Sequence, residues 1–278
     1  MPASAGEVLQ AARVRLTSTS QYPRRDAELI LAHVLGCDQT ALLTHPERLL
    51  SPVEADQFES LLKRRLASEP VQYLIGAQEF FGLLFEVTPD VLIPRPETEH
   101  LVEAVLERFD REANLRIVDV GTGSGAIAIA LAHALPRSRV TAVDLYPAAL
   151  EVARRNAQRH GVIDRVTLRQ SDLLAAASAA EFDVVVSNPP YIADGEKLEP
   201  QVANYEPRFA LYAGPTGLEV YERLIPQART VLRPYGWLIM EIGYGQRPAL
   251  EALLGGWSEV SFVPDLQGIP RVALAQKP

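Results

Sequence analysis

The strongest chemical signal in the chain is a tetrapeptide, Asn188-Pro189-Pro190-Tyr191. It follows an apolar run at 184–186, so it is predicted at the C-terminal end of a strand, the edge where open α/β sheets bind ligands. Consecutive prolines stiffen the backbone and remove two N–H donors, which leaves the carbonyls of Asn188 and Pro189 free to accept hydrogen bonds. With Tyr191 as an aromatic face, this arrangement suits an NH2 group on a flat system. A rigid turn after a strand is the structural alternative.

A glycine-rich turn forms a second candidate site. Gly121, Gly123 and Gly125 follow the predicted strand that ends at Val118-Asp119-Val120 and precede a helical pattern at 126–135. Glycines let the backbone approach a ligand closely, and the N-terminus of the helix offers free N–H groups to polar or negative ligand atoms. Taken alone, the cluster is equally compatible with a sharp turn between a strand and a helix.

An acidic residue, Asp144, ends the next predicted strand, about 20 residues beyond the glycines, where a carboxylate can accept from ribose hydroxyls. The glycines and Asp144 together favour a cofactor that contains a nucleoside. A dinucleotide fold uses the spacing G-x-G-x-x-G, whereas here the glycines are separated by single residues. The shorter form, preceded by Asp119, is more typical of methyltransferases than of dehydrogenases.

Composition limits the classes of partner and compartment. The 278 residues carry a net charge of -8, so no global cationic field attracts nucleic acid, although a local basic groove remains open. Cys37 is the single cysteine, which excludes an internal disulfide and fits a reducing compartment. The first residues lack a secretory pattern, and no run approaches the ~18 apolar residues of a membrane span. We therefore expect a cytoplasmic protein without a membrane segment.

The chain is predicted to have a helical N-terminal part, a hairpin and an α/β part. Apolar residues recur at helical spacing over 5–69, with breaks at Tyr22-Pro23, at 36–38 and at Ser51-Pro52. Aromatic and β-branched residues over 70–96 indicate a hairpin-like linker. From Glu97 onward, alternating helical and strand patterns predict a mostly parallel sheet with helices on both faces. The predicted strands are 115–120, 140–145, 166–171, 182–187, 237–242, 260–263 and 271–275.

Further segments narrow the interpretation to one family. The runs at 70–76, 79–82 and 92–99, with the tetrapeptide, the glycine turn and Asp144, resemble the release factor glutamine methyltransferases, the PrmC or HemK family. The resemblance extends to 264–268 and so covers nearly the whole chain. It implies transfer of a methyl group from S-adenosylmethionine to the glutamine of the Gly-Gly-Gln motif in class 1 peptide chain release factors.

The resemblance also implies a fold and a domain layout. The fold is a Rossmann-like class I methyltransferase sheet of seven strands, the last one antiparallel, with a small all-α N-terminal domain and a β-hairpin linker. The domains are a helical substrate-docking domain at 1–75, the hairpin linker at 76–96 and the methyltransferase domain at 97–278.

The site residues that the resemblance implies fall into three groups. Its catalytic residues are Asn188, Pro189 and Tyr191. Its cofactor-binding residues are Asp119, Gly121, Thr122, Gly123, Ser124, Gly125, Asp144, Asp172, Leu173 and Asn188. Its substrate-binding residues are Asn188, Pro189, Pro190 and Tyr191. Arg95 and Glu97 are added as a candidate wall of the active site, because Pro94 and Pro96 stiffen this charged segment just before the α/β part. Leu173 departs from the aromatic residue that some members carry there, and Arg95 with Glu97 is equally compatible with a plain start of a helix.

Other functions remain as alternatives. A nucleic-acid adenine methyltransferase would use the same tetrapeptide but needs a basic groove, and the basic triplet at 63–65 is more typical of a solvated helix face. A nicotinamide-dependent oxidoreductase would use the glycine turn and Asp144. A non-enzymatic adaptor is disfavoured because all three motifs are intact. His33 and Cys37, four residues apart, supply only two ligands, so we expect no metal site.

Overall fold

The computed structural model describes residues 3–278 and divides into two compact units; Met1 and Pro2, at the start of the predicted helical domain, lie outside the described residues. Among the described residues, the helical unit comprises 3–77 together with Leu198–Tyr205. The sheet unit comprises Gln78–Lys197 and Glu206–Pro278. A segment distant in sequence therefore completes the helical unit.

The helical unit is built from short amphipathic helices around one apolar core that includes Leu16, Ile30 and Leu62. Ser51 caps its longest helix, because its hydroxyl accepts from the amide of Glu54 while the Glu54 side chain accepts from the Ser51 amide. The predicted helix boundaries near residues 22, 36 and 51 are thereby confirmed. The helices are α1 (Ala5–Leu16), α2 (Pro23–Leu35), α3 (Gln39–Thr44), α4 (Pro52–Leu66), α5 (Val71–Ile75) and α9 (Pro200–Tyr205).

The predicted hairpin is present and consists of β1 (Ala77–Phe80) and β2 (Leu83–Glu86). The two residues between the strands, Phe81 and Gly82, both have positive φ, at 51° and 72°, as a tight type I′ turn requires. Phe80 and Phe85 are fully buried in the core on one face of the large sheet. The hairpin is thus anchored by apolar packing to the sheet unit.

The sheet unit contains a seven-stranded sheet. Its strands are, in spatial order, β10 (Ser258–Pro264), β11 (Pro270–Gln276), β9 (Leu232–Glu241), β6 (Phe182–Ser187), β3 (Arg116–Val120), β4 (Arg139–Asp144) and β5 (Val166–Gln170). Strands β9, β6, β3, β4 and β5 pair in parallel, and β11 pairs antiparallel with both of its neighbours. All seven predicted strands and the antiparallel last strand are confirmed.

Strand β9 begins at Leu232, earlier than the predicted start at Trp237. Its first residues include Pro234 and Gly236, and both residue types are more typical of the ends of strands than of their interiors. Proline lacks an N–H donor for the ladder, and glycine adds no side chain to pack. The pairing with β6 shifts in register along this stretch, which accommodates both residues. The sequence pattern therefore places the start of the strand too late.

Helices cover both faces of the sheet. Neighbouring residues of one strand point into different cores, as Ile117 and Val118 of β3 do, so both faces are buried. No helix among residues 3–278 is long and apolar enough to cross a membrane. The remaining elements are α6 (Pro96–Leu106), α7 (Ala126–Ala134), α8 (Pro147–Arg159), α10 (Glu219–Val231), α11 (Arg247–Leu253), the 3-10 turn Arg208–Ala210, β7 (Ile192–Ala193) and β8 (Tyr212–Gly214).

Candidate functional site

The parallel strands bring the predicted motifs to one edge of the sheet. Val120, at the end of β3, lies in register with Val143 of β4 and with Ser187 of β6. The Ser187 hydroxyl also donates to the Val120 carbonyl at 2.7 Å, which ties these two strand ends together. The glycine turn, Asp144 and the tetrapeptide therefore emerge side by side.

A cleft of about 340 Å³ opens at this edge, entirely within the sheet unit. The predicted site residues that line it are Gly121, Thr122, Gly123, Ser124, Asp144, Asp172, Leu173, Asn188 and Pro190. Those that do not line it are Asp119, Gly125, Pro189, Tyr191, Arg95 and Glu97. The structure thus gathers most of the predicted cofactor residues around one cavity, and the remaining predicted site residues are not part of its lining.

The glycine turn is held by hydrogen bonds to the next strand. The amides of Gly121 and Thr122 both donate to the Val143 carbonyl, at 2.9 and 3.0 Å. Gly121 and Gly123 have positive φ, at 73° and 54°, and nothing lies within 4 Å of the Cβ that a larger residue would carry. Glycine is required here by backbone conformation, and the open space on that side belongs to the cleft.

Asp119 lies beneath this turn and is fully buried. One carboxylate oxygen accepts from the Thr122 hydroxyl at 2.6 Å and from the Ala128 amide at 3.2 Å. The other oxygen, Oδ1, has no hydrogen-bond partner among residues 3–278. Burial raises the pKa of Asp119 to about 7, opposed by these two hydrogen bonds.

Asp144 lies at the end of β4 with both carboxylate oxygens engaged by the backbone. Oδ2 accepts from the Gly123 amide at 2.9 Å and Oδ1 accepts from the Tyr146 amide at 3.0 Å. Burial raises the pKa of Asp144, and the backbone amides oppose that rise. Each oxygen retains a lone pair, so the carboxylate can still accept from ligand hydroxyls.

Apolar and aromatic side chains form another part of the cleft wall. Leu145 and Leu173 both line it, and Leu173 has a positive φ of 49°, a costly conformation for a branched residue. Tyr146 stacks on Phe209 with ring centroids 3.6 Å apart. The cavity therefore combines flat apolar surface with the acceptors described above. At its rim, Asp172 pairs with Arg223 at 2.6 Å.

The tetrapeptide is fixed by side chains from three other segments. The Asn188 amide donates to the Thr98 hydroxyl at 3.1 Å, and the Tyr191 hydroxyl donates to Glu241 Oε1 at 3.2 Å. The Gln246 side chain donates to the Tyr191 carbonyl at 2.9 Å. Burial and the nearby Glu241 charge raise the pKa of Tyr191 above its ordinary value, so the phenol stays protonated at neutral pH.

Arg95 and Glu97 flank the start of α6. Arg95 occupies the N-cap position and forms an ion pair with Glu206, which is buried and also accepts from the Ile93 amide at 3.2 Å. Glu97 lies exposed in the first turn, where a negative charge complements the helix dipole. A role for either residue in binding substrate stays a prediction.

Two residues beside the tetrapeptide were not singled out by sequence reasoning as site residues. Thr98 and Glu241 are both buried, and the Thr98 hydroxyl donates to Glu241 Oε2 at 2.5 Å. The sequence does contain a signal for Glu241, which is the one acidic residue in the otherwise apolar run 237–242. A carboxylate in a buried strand needs hydrogen-bonding partners, so its presence there indicates a polar cluster. Thr98 carries no such signal, since threonine is common near helix starts.

Comparison with known proteins identifies the family. Residues 7–76 match the PrmC N-terminal domain, and residues 98–205 match the methyltransferase small domain. The chain is 47% identical over 259 residues to the release factor glutamine methyltransferase of Koribacter versatilis, covering 92% of each. It is 46% identical over 261 residues to the protein of the same name from Moorella thermoacetica, again covering 92% of each. The chain belongs to the release factor glutamine methyltransferase family.

Membership of the release factor glutamine methyltransferase family confirms the resemblance read from the motifs. A solved methyltransferase structure from Pyrococcus furiosus aligns with a TM-score of 0.52 at 22% identity, covering 71% of this chain and 90% of that one, and supports the fold alone. The nucleic-acid adenine methyltransferase and the nicotinamide-dependent oxidoreductase are not favoured, because the curated relatives carry the release factor enzyme's name.

Proposed function

We propose that this enzyme transfers a methyl group from S-adenosylmethionine to the side-chain amide nitrogen of the glutamine in the Gly-Gly-Gln motif of class 1 peptide chain release factors. The observation that carries the proposal is the placement of Asn188 in the wall of the cleft that Asp144 and the glycine turn also line. An amide-recognising group and a nucleoside-compatible site thereby share one cavity. The family membership supports the same substrate.

The residues of the cleft fit S-adenosylmethionine, which would supply an electrophilic methyl group on a positively charged sulfur. Asp144 retains lone pairs for ribose hydroxyls, and Leu145 with Leu173 offers apolar surface for a flat base. Asp119 does not line the cleft, but its carboxylate accepts from the Thr122 hydroxyl, so a negative group lies directly behind a residue that does line it. Carboxyl groups at this end of the sheet suit a cofactor that carries positive charge.

The chemical difficulty is that an amide nitrogen is a poor nucleophile, since its lone pair is delocalised into the carbonyl. The Asn188 acceptor in the wall of the cleft would orient the substrate NH2 and stabilise the positive charge that develops on nitrogen. The Pro189 carbonyl stays a predicted second acceptor, because Pro189 does not line the cleft. The methylated nitrogen then loses a proton readily, so no strong base is needed. None of the cleft-lining residues among those described is a histidine, which is consistent with this route.

The helical unit is the part that we assign to docking of the protein substrate. Every cofactor motif lies in the sheet unit, so the helical unit is free for another role. Its match to the PrmC N-terminal domain supports a role that family members share. We place the reaction in the cytoplasm, where release factors are made and where an unpaired Cys37 stays reduced.

Methyl transfer can be tested directly. The full chain is incubated with methyl-labelled S-adenosylmethionine and a class 1 release factor, and the digested product is examined by mass spectrometry. We expect one methyl group on the glutamine of Gly-Gly-Gln and none on a release factor in which that glutamine is replaced by alanine. Label on another residue, or no label, would refute the proposed substrate.

A further inference from the structure

A chain of hydrogen bonds connects the tetrapeptide to a buried carboxylate. The Asn188 amide nitrogen donates to Thr98 Oγ1 at 3.1 Å, and that hydroxyl donates to Glu241 Oε2 at 2.5 Å. Glu241 is 2% exposed and Thr98 is 4% exposed, so water does not compete with the bond between them. This relay joins α6, β9 and the loop after β6 at one point.

The single hydroxyl proton of Thr98 gives this relay a direction. When Glu241 is ionised it can only accept, so the Thr98 proton must point toward it. Thr98 can then only accept from Asn188, and the group facing it must be the amide NH2. Since the amide is planar, its oxygen Oδ1 is turned away from Thr98, and no other hydrogen bond holds the Asn188 side chain among residues 3–278.

The position of Glu241 indicates a role beyond folding. Its second oxygen accepts from the Tyr191 hydroxyl, so one carboxylate is linked to Tyr191 directly and to Asn188 through Thr98. Within the described part of the chain it forms no ion pair, and the nearby Arg271 pairs with Asp265 instead. A buried carboxylate without a cationic partner is costly, which is unusual for a purely structural residue.

We propose that Thr98 and Glu241 are positioning residues that hold the Asn188 amide with its oxygen toward the substrate nitrogen. This inference rests on the proposed function, because it assigns to Oδ1 the acceptor role in glutamine recognition. If the relay were absent, the amide could turn and present NH2 to the substrate NH2, which offers no hydrogen bond. Neither residue is required to touch the substrate.

The test compares Thr98→Val, which removes the hydroxyl at nearly constant shape, with Thr98→Ser, which retains it. Single-turnover methyl transfer is measured at saturating cofactor with a class 1 release factor. We expect Thr98→Val to lower the rate by roughly 10- to 100-fold, which approaches the rate loss expected when one preorganised contact to the transition state is removed. The rate of Thr98→Ser should stay within about threefold of the wild-type rate. Cofactor affinity should change little in both. Equal rates for wild type and Thr98→Val would overturn the inference.

A double-mutant cycle separates positioning from a general structural effect. If Thr98 acts through Asn188, adding Thr98→Val to Asn188→Ala should change the rate by less than about twofold. Full additivity of the two losses would contradict the relay. Tyr221→Phe serves as a matched control, because it deletes a buried hydroxyl that donates to the Glu241 main-chain carbonyl at 2.9 Å but leaves the relay intact. It should transfer methyl at close to the wild-type rate.

An observation independent of activity distinguishes failure of the relay from failure of the proposed function. The Asn188 side-chain amide resonance, assigned by its loss in Asn188→Ala, should show slowed hydrogen exchange in the wild type and fast exchange in Thr98→Val. Fast exchange in the wild type would overturn the inference whatever the activity. A protected amide in a chain that does not methylate release factor would refute the proposed function and leave the relay supported.

Discussion

In the candidate site, the hydrogen bonds that each polar side chain already makes limit which of its atoms are available to a ligand. Asp144 has both oxygens engaged by backbone amides and keeps only its remaining lone pairs for a ligand. Asn188 donates from its side-chain nitrogen to Thr98, and its side-chain oxygen has no hydrogen-bond partner among residues 3–278. Residue type alone therefore does not define the chemistry, because the neighbours decide which atom faces the cleft.

Replacing Asn188 tests the residue on which the mechanism depends. Asn188→Ala should lower turnover by ~10²- to 10³-fold through loss of a preorganised acceptor. Cofactor affinity should fall by roughly tenfold or less, since Asp144 and the glycine turn remain. Asn188→Asp keeps an acceptor and should retain more activity than the alanine variant. Single-turnover rates with circular dichroism of each variant would check this, and equal rates for wild type and Asn188→Ala would rule out the assignment.

The protonation of Glu241 predicts a pH dependence. Burial raises the pKa of Glu241 to about 7, opposed by the hydrogen bonds from Thr98 and Tyr191; Glu97 raises it further and Arg271 lowers it. Below that pH a protonated Glu241 can donate to Thr98, so the relay can reverse and turn the amide. The single-turnover rate at saturating cofactor should therefore rise as pH increases through about 7.

Glu241→Gln provides the control for this profile. The variant has no carboxylate to titrate, so its rate should be lower and should lose the rise near neutral pH. Burial also raises the pKa of Asp119 to about 7, and Asp119 is unchanged in the variant. Any pH dependence of the rate that remains in Glu241→Gln near neutral pH can therefore come from Asp119. An unaltered pH profile in Glu241→Gln would assign the titration to another group.

Among the secondary-structure elements, the strand order determines which motifs meet. The glycine turn joins β3 to α7, and its last glycine, Gly125, packs against α8. A Cβ at Gly125 would lie 3.1 Å from the Ala153 Cβ and 3.3 Å from its Cα. Close packing of α7 on α8 therefore restricts this position in addition to its positive φ of 82°.

Gly125→Ala should consequently destabilise the fold more than the same substitution at a glycine that is constrained only by its positive φ. We expect a cost of about 2–4 kcal/mol, from the left-handed backbone together with overpacking. Gly161→Ala is the matched control, since Gly161 also has positive φ, at 65°, but nothing lies within 4 Å of its Cβ position. It should cost about 1 kcal/mol. Thermal unfolding without ligand measures both, and equal losses would contradict a packing role for Gly125.

In the molecule as a whole, two compact units are interleaved in sequence. The segment Leu198–Tyr205 belongs to the helical unit, where Gln201 accepts from Arg65 at 3.3 Å and Tyr205 donates to the Ala67 carbonyl at 2.9 Å. Arg65 also forms a buried ion pair with Asp26 at 2.7 Å. The helical unit therefore requires a segment that follows the tetrapeptide in the chain.

Removing the helical unit tests its proposed docking role. A chain starting at Gln78, with 198–205 replaced by a glycine-serine segment of equal length, keeps every cofactor motif. We expect S-adenosylmethionine to raise its melting temperature as it does for the full chain, because the ligand binds the native sheet unit. Methylation of an intact release factor should fall far more than methylation of a short peptide containing Gly-Gly-Gln. Full activity of the shortened chain on the intact release factor would reject docking.

The local features of this protein could be predicted without its structure. The glycine spacing, the acidic residue that ends β4 and the proline-rich tetrapeptide are all local patterns, and each predicted strand is present. Such patterns are readable because burial on both faces requires continuous apolar runs, and tight turns require glycine or proline. The predicted start of β9 was wrong, because the proline and glycine among its first residues are typical of a strand end.

The distant residues that support those motifs could be found only in the folded chain. Thr98, Asn188 and Glu241 come from three separate segments, and no periodic pattern links a threonine near a helix start to a carboxylate at a strand end. The assignment of 198–205 to the helical unit likewise depends on contacts with Arg65 and Ala67. Burial can be predicted from hydrophobic periodicity, but the partner of a buried polar group depends on the packing of whole elements.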